Sequence, residues 1–301
     1  MSKTFRYALM VFVGGWCYGG LVPLVRLAHS LGFDITRLMA LQYLIAAAIL
    51  GTLVLIFSRR GVSPKQLLQL LGLGAVAAGV SFGYYHALTL LPSATAVTLL
   101  FQFVWMGVVF QAICERKLPG RTTVFAVVLV FGGTILAAGI LEWDLGSLNA
   151  LGVFYGLLSA VLYTAFLYLS GKVATEAPTL NRTLYTSLGS LLITLCVVPS
   201  FITSGAIVRE FSWIAVPLAF VGIIAPVFLI QKAAPYLPSG VTTIMASSEL
   251  PSGILMGALF VGDPLGALEV MGVVIILVGI VLSQLDSLRT WRRNRLRQAQ
   301  E

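Results

Sequence analysis

The amino-acid sequence predicts an all-α integral membrane protein in which ten transmembrane helices form two inverted five-helix repeats. Three observations lead to this prediction. Hydrophobic residues make up 58% of the 301 residues, charged residues make up 10%, and the mean hydropathy is +0.98. This composition is typical of membrane proteins. Apolar runs of about 20 residues recur along the chain, and one tripeptide recurs with similar surroundings in each half.

The apolar runs are each long enough to cross the hydrocarbon core as a helix, which satisfies its own backbone polar groups. Apolar residues do not alternate with polar ones within them, which argues against a transmembrane β-barrel. The ten predicted spans are 7–28, 37–57, 67–91, 94–114, 123–141, 151–171, 183–203, 213–233, 241–261 and 267–285. The connections between them are short, so no soluble domain is expected.

The repeat is visible in the order of matching landmarks. Leu-Pro-Ser opens the fourth span at 91–93 and the ninth at 237–239, and an acid follows each of these spans, Glu115 and Asp263. At an offset of 145 residues, Tyr18 in the first span matches Tyr163 in the sixth. A self-match at a nearly fixed period indicates that one unit is used twice. The predicted units are residues 1–145 and 146–286, and a basic tail follows at 287–301.

Five spans in each unit give the two units opposite orientations in the membrane. With the N-terminus inside, sixteen lysines and arginines lie in predicted cytoplasmic segments, and only Arg26, Arg37 and Arg209 lie outside. Because positive residues accumulate on the cytoplasmic side, both termini are predicted to be cytoplasmic and the 142–149 loop external. The net charge of +8 therefore reports orientation. No nucleic-acid partner is expected, since the arginines lie in short loops and the tail.

Other uses of the N-terminus and of the cysteines are less consistent with the sequence. The first span follows Lys3 and Arg6 like a secretory signal, but its length and its partner span at 151–171 favour a retained helix. The three cysteines are odd in number and lack metal-ligand spacing, so neither a disulfide framework nor a metal is expected. The basic tail is expected to lie along the anionic inner leaflet.

Glu249 lies near the middle of the ninth span, where inserting a charged side chain costs roughly 3 kcal/mol. Two interpretations remain open. The carboxylate can face a wet cavity as a proton carrier or cation ligand, or a protonated glutamate can bond a neighbouring helix near Pro251, which frees a backbone carbonyl. The first interpretation makes Glu249 the candidate for proton or cation coupling.

Deep polar and aromatic side chains predict a substrate cavity bounded by the first, third, fourth, sixth, eighth and ninth spans. Aromatic rings there can stack on a ring or hold an ammonium group. Aromatic residues near span ends are alternatively interface anchors, a lone histidine is often a packing residue, and Arg37 and Arg182 are expected to snorkel to the interface. The candidate substrate-binding residues are Trp16, Tyr18, Tyr84, Tyr85, His86, Gln102, Trp105, Tyr163, Ser248 and Glu249.

Three pairs of glycines at a spacing of four residues suit close helix packing, either static or mobile. They are Gly15 with Gly19, Gly79 with Gly83, and Gly152 with Gly156.

The whole chain resembles the ten-span EamA-type branch of the drug/metabolite transporter superfamily. The resemblance rests on the two Leu-Pro-Ser tripeptides, Glu115, the Glu249-Leu250-Pro251 run, the Gly262-Asp263 pair and the glycine-rich closing spans. Asp263 departs from the more usual glutamate, and Gln102-Phe103 stands where the second unit has Ser248-Glu249. The resemblance is specific for the family but not for the substrate, because members export amino acids, drugs, nucleobases and other metabolites.

The resemblance implies a secondary transporter in the inner membrane of a bacterium. Its expected activity is export of a small organic metabolite, an amino acid or an aromatic or amine compound, by alternating access with possible proton coupling. A multidrug or organic-cation exporter is the alternative within the fold. The expected partners are the solute and the lipid bilayer, no cofactor is expected, and a monomer suffices because ten spans close a cavity.

A membrane-embedded enzyme is the alternative from another class. The sequence has only two histidines, His29 and His86, and lacks the paired aspartates of an intramembrane protease. It also lacks a phosphate-binding Gly-rich loop. We therefore expect no enzymatic activity.

Overall fold

The computed structural model describes residues 3–58, 60–91, 93–116, 118–138, 149–203, 213–260, 262 and 265–284. Within these ranges the chain is helical with connecting turns and contains no β-strand. Several predicted features lie outside the described residues: Pro92, the boundary between the two predicted units, most of the 142–149 loop, Arg209, Asp263 and the basic tail.

A helix, continuous or interrupted, occupies the position of every predicted span. The helices are α1 (Lys3–Ser30), α2 (Ile35–Phe57), α3 (Pro64–Leu90), α4 (Ser93–Leu100), α5 (Phe103–Glu115), α6 (Arg121–Ala137), α7 (Ala150–Ser170), α8 (Thr179–Val197), α9 (Ser200–Thr203), α10 (Ala215–Ala219), α11 (Ala225–Ala233), α12 (Ser239–Ala246), α13 (Glu249–Phe260) and α14 (Ala267–Ser283). A π-helical segment, Phe220–Ile224, joins α10 to α11.

Seven segments of the described residues are long and apolar enough to cross a membrane. The helices α6 and α14 are apolar but shorter, with 17 residues each, which is near the lower limit for crossing the hydrocarbon core. Helix α8 falls outside both groups because it carries a stripe of buried polar residues. The fold is therefore that of an all-α membrane protein, and the count of ten spans and the inverted repeat stay predictions.

Local sequence signals explain where several helices begin. Ser63 and Gln66 form a reciprocal capping box at the start of α3, with Pro64 in the first turn. The side chain of Asn149 accepts hydrogen bonds from two backbone N–H groups of the first turn of α7, and Asp34 caps α2 in the same way. These caps satisfy N–H groups that have no partner within the helix.

Two apolar segments are interrupted halfway by short turns. The first break separates α4 from α5 at Phe101 and Gln102, and the second separates α12 from α13 at Ser247 and Ser248, 146 residues later. At the second break Pro251 has no N–H to donate. The carbonyl of Ser247 accepts from Leu250 instead, at a spacing of three residues. The backbone thus tightens at mid-helix, next to Glu249.

Glycines let helix α1 approach the second break closely. A side chain at Gly15 or Gly19 would collide with the backbone around Ala246 and Glu249. The hydroxyl of Ser248 donates to the carbonyl of Phe12 at 2.7 Å, and that of Ser252 donates to the carbonyl of Trp16 at 2.6 Å. The other two glycine pairs also lie at close contacts: Gly79 and Gly83 face α7, Gly156 faces Leu99 of α4, and Gly152 faces Leu90 and Leu91 at the end of α3. All three pairs therefore lie at helix contacts, as either static or mobile packing requires.

Large apolar side chains cover the outside of the bundle. Leu55 is 87% exposed, Phe260 75% and Phe125 57%. Exposed apolar surface of this extent is unusual for a protein in water, and in a membrane it faces the lipid chains.

Arg182 is not a snorkelling residue, contrary to expectation. It is only 2% exposed, at the start of α8, and its guanidinium group donates to the carbonyls of Gln231 in α11 and Ser170 at the end of α7. Because the side chain is buried and bonded to these carbonyls, it does not reach the interface. It joins three helices at one end of the bundle.

We call this end the N-terminal side, because α1 begins there. Further contacts join helix ends on this side: Tyr7 stacks on Tyr236 at 4.3 Å between centroids, Asn181 donates to the Arg60 carbonyl, the Gly240 N–H donates to Gln111, and Lys172 pairs with Glu115 at 3.3 Å. The bundle is therefore tied together on its N-terminal side.

Candidate functional site

A partly open cavity of about 150 Å³ lies between helices from both halves of the chain. Its wall is mostly apolar and aromatic, with hydroxyl groups, one amide and one acid. The lining residues are Tyr18, Leu21, Gln42, Tyr43, Ala77, Val80, Ser81, Tyr84, Tyr85, Leu100, Tyr163, Phe166, Thr186, Ser187, Ser190, Gly222, Ile223, Val227 and Glu249. An apolar pocket with a few polar groups is the usual form of a small-molecule site.

Glu249 enters the cavity wall because the chain breaks just before it. It is the first residue of α13, so its carboxyl group lies near the positive end of a helix dipole. The Tyr163 hydroxyl donates to Oε2 of Glu249 at 3.2 Å. The carboxyl group thus bonds to a side chain from α7, and not to the backbone near Pro251.

Aromatic rings surround the pair formed by Glu249 and Tyr163. The Tyr18 ring lies edge-on to the Tyr163 ring at 6.3 Å between centroids. The Phe103 ring packs against Tyr163 at 4.6 Å, and Phe166 stacks parallel to it at 6.3 Å. Tyr18 and Tyr163 are the two residues that match at the offset of 145, so the structure brings the landmark pair together beside the mid-helix acid.

Five of the predicted site residues line the cavity: Tyr18, Tyr84, Tyr85, Tyr163 and Glu249. The other five, Trp16, His86, Gln102, Trp105 and Ser248, do not line it. These five residues do not contact this cavity, and their roles as substrate-binding residues stay predictions.

The five residues away from the wall make contacts of other kinds. The Gln102 amide donates to the Thr98 carbonyl at the first break, and its oxygen accepts from the Trp105 indole at 2.7 Å. The His86 ring packs between Phe82 and Tyr155, at 4.1 Å and 5.0 Å between centroids. Trp16 and Ser248 take part in the contact between α1 and the second break.

The cavity is also bounded by the second and seventh predicted spans, which the sequence analysis did not include. Helix α2 contributes Gln42 and Tyr43, and α8 contributes three hydroxyl groups. The Tyr43 and Ser81 hydroxyls lie 3.5 Å apart. The repeat offset could have found part of this set, because Gln42 and Ser187 are also 145 residues apart.

The polar stripe of α8 is a second sequence signal for the part of the cavity wall that the sequence analysis missed. Five buried hydroxyl residues of α8 are each three or four residues from another of the set: Thr183, Thr186, Ser187, Ser190 and Thr194. This is the spacing of one helix face. In a lipid-facing helix such a face would be costly, so it indicates a face turned toward the bundle interior.

The π-helical segment places backbone as well as side chains at the wall. Gly222 and Ile223 lie within it and line the cavity. Pro226 follows and has no N–H to donate the hydrogen bond of a regular helix. Just before it, the Ala225 N–H donates to the Phe220 carbonyl, five residues earlier, as in a π-helix. Such π-segments are frequent at functional sites.

Glu249 is the one lining residue that carries a formal charge; no lysine, arginine or histidine is among the described residues of the wall. Likewise, no group of three or more potential metal ligands occurs within the described ranges. The site can therefore offer a carboxylate, several hydroxyls, an amide and aromatic faces.

Comparison with known proteins adds a family likeness to this geometry. Residues 5–139 match the EamA-like transporter family. The chain is also 23% identical over 283 residues to a Bacillus subtilis (strain 168) protein called "Uncharacterized transporter YcbK", with 88% of each chain covered. A crystal structure of another protein has the same fold, with a TM-score of 0.75 at 16% identity over 94% of this chain and 98% of the other.

These likenesses support a membrane transporter acting on small-molecule solutes. The family match covers the N-terminal half, and the fold match extends over nearly the whole chain.

Proposed function

We propose that this chain is a secondary transporter of the EamA type that exports a small organic metabolite, an amino acid or an aromatic or amine compound, by alternating access. The proposal rests on the partly open cavity, whose wall includes the acid Glu249 from one half of the chain and Tyr18 from the other. An ionisable residue within the membrane is by default a functional residue. Discontinuous helices at mid-depth are typical of transporter binding sites.

The arrangement of polar contacts suits one state of an alternating-access cycle. The N-terminal side is tied by Arg182 and by the contacts between helix ends. The cavity lining extends to Tyr85, five residues from the far end of α3, and to Val227, six residues from the end of α11 on the N-terminal side. With both termini in the cytoplasm, the contacts on the N-terminal side would make this a state closed to the cytoplasm.

The two breaks, 146 residues apart, support the inverted repeat within this proposal. Each half would supply one interrupted helix to the site. Only the second break carries an acid, so the two halves would contribute unequal chemistry to one cavity.

Export by cells tests the proposed function. Cells that overproduce the chain are compared with vector controls by metabolite profiling of the medium. We expect at least one small metabolite to rise severalfold in the medium and to fall inside the cells. Tyr85→Ala, which removes a ring from the cavity wall, should lower that export about tenfold at unchanged membrane abundance.

Trp105→Ala is the matched comparison, since this ring lies away from the cavity wall, and we expect a smaller reduction from it. An abundant wild-type chain that changes no metabolite in the medium would contradict the proposed export.

A further inference from the structure

We propose that the cavity takes a small monocationic amine that lacks a carboxylate, with its ammonium group on Glu249 and its apolar part against the aromatic wall. This inference rests on the proposed function and narrows its substrate class. Among the described residues of the cavity wall, Glu249 alone carries a formal charge.

An ammonium ion brings the charge of the site to zero. Glu249 bonds to Tyr163 through one oxygen, and a carboxylate can accept several hydrogen bonds at once, so room remains for an ammonium donor. A cation and a carboxylate that are both removed from water need each other, because an unpaired charge there is costly.

An amino acid would leave one charge without a partner. Its ammonium group can pair with Glu249, but its carboxylate would then share the cavity with a second carboxylate and find no cation among the described lining residues. Two basic side chains that are close in sequence to lining residues are engaged elsewhere. Arg182 donates to two backbone carbonyls on the N-terminal side, and Lys232 lies over the Phe228 ring at 5.5 Å.

The aromatic residues beside Glu249 suit a cation for a second reason. The faces of Tyr18 and Tyr163, which lie at right angles beside the acid, carry negative partial charge and attract ammonium groups. They would repel a carboxylate placed over them. The same rings thus favour an ammonium group and disfavour a carboxylate.

The size of the cavity limits the apolar part of the substrate. At about 150 Å³, it matches the volume of a dry protein cavity that binds benzene. Leu21, Val80 and Val227 supply apolar wall. A single ring or a short aliphatic chain attached to one amine therefore fits.

The test compares amines with amino acids that differ from them only by the carboxylate. The purified full-length chain is reconstituted in liposomes loaded with one labelled compound at a time, and efflux of the label is measured with the same compound, unlabelled, outside. The matched pairs are phenethylamine with phenylalanine, and butylamine with norvaline. We expect the amine of each pair to be exchanged at least tenfold faster than its amino acid.

Variants locate this preference. Glu249→Gln keeps the size of the side chain but not its charge, and it should lower amine exchange at least tenfold. Glu249→Asp keeps the charge and should retain the preference for amines. Glu269→Gln is the matched control, because Glu269 is likewise in the first turn of a helix but does not line the cavity.

The outcomes separate the inference from the proposed function. If amino acids exchange as fast as the amines, or faster, the amine assignment is wrong and the transporter proposal stands. If none of the four compounds exchanges, the amine assignment is again wrong, and the export measurement in cells decides the proposed function. Should Glu249→Gln fail to fold, the wild-type preference between paired compounds still decides the inference.

Discussion

Glu249 is a residue whose surroundings let two cations compete for one place. A proton or an ammonium group can neutralise its carboxylate, and binding of one disfavours binding of the other. The titratable groups packed nearby are all neutral in ordinary conditions: Tyr163 bonds to it, Tyr18 packs against Tyr163, and Tyr43 and Tyr85 lie on the same wall. We therefore propose Glu249 as the position at which transport is coupled to protons.

This coupling predicts how Glu249→Gln responds to a pH gradient. Glutamine imitates the protonated carboxyl group but cannot titrate, so the variant should fold and lose the acceleration that an imposed gradient gives to the wild type. The measurement is flux of the exported metabolite across proteoliposomes with and without the gradient. A variant that the gradient still accelerates would assign coupling to another residue.

Helices are joined at the N-terminal side by the buried Arg182 guanidinium group. Hydrogen bonds to charged groups contribute about 1.5–3 kcal/mol each, and here two of them tie α8 to the ends of α7 and α11. The planar group reaches both carbonyls at once, whereas an ammonium group is a compact point charge.

We therefore expect Arg182→Lys to destabilise the protein by about 2–4 kcal/mol, measured by thermal denaturation of the purified protein in detergent. Arg37→Lys is the control, because Arg37 occupies the matching position in the first half but is not fully buried. Its effect should stay within about 0.5 kcal/mol. Equal effects of the two substitutions would show that the bridge across three helices contributes nothing.

The sequence predicted helix positions well and helix rotations poorly. Apolar run length is enough to place a helix, since the bilayer sets its length. Rotation depends on which face is polar, and segments that are apolar all round give little sign of it. Gln102 is a residue whose direction the sequence did not predict. Its amide donates to the carbonyl of Thr98 at the first break, and the side chain does not line the cavity.

Repeat matching identified one pair of residues that both line the cavity. Tyr18 and Tyr163 meet beside Glu249, as their matching positions allowed. Arg182 could not be predicted in the same way, because the equivalent position near the start of α2 does not force burial. Its burial and its hydrogen bonds to α7 and α11 are tertiary effects.

The molecule as a whole is asymmetric between its two sides. Among the described residues, the polar contacts that join helix ends gather on the N-terminal side, where Lys172 and Glu115 pair across α5 and α7. Alternating access requires such contacts to open in each cycle. A partly exposed ion pair of this kind is weak, which suits a contact that must break.

Linking Glu115→Cys to Lys172→Cys with a short bifunctional thiol reagent should therefore stop transport. The expected result is a loss of more than tenfold in liposome flux, measured in a background from which the three native cysteines have been removed. Each single-cysteine variant treated with the same reagent is the control. Normal flux through the linked protein would mean that the N-terminal side does not open there.

Helix α1 is anchored to the second break through its main chain. Ser248 and Ser252 donate to the carbonyls of Phe12 and Trp16, and any amino acid offers the same carbonyl. The side chains at these two positions can therefore diverge during evolution without loosening the anchor. Under the proposed function, Tyr18, in the next turn of the same helix, can then change to suit a new solute while α1 keeps its contacts with the second break.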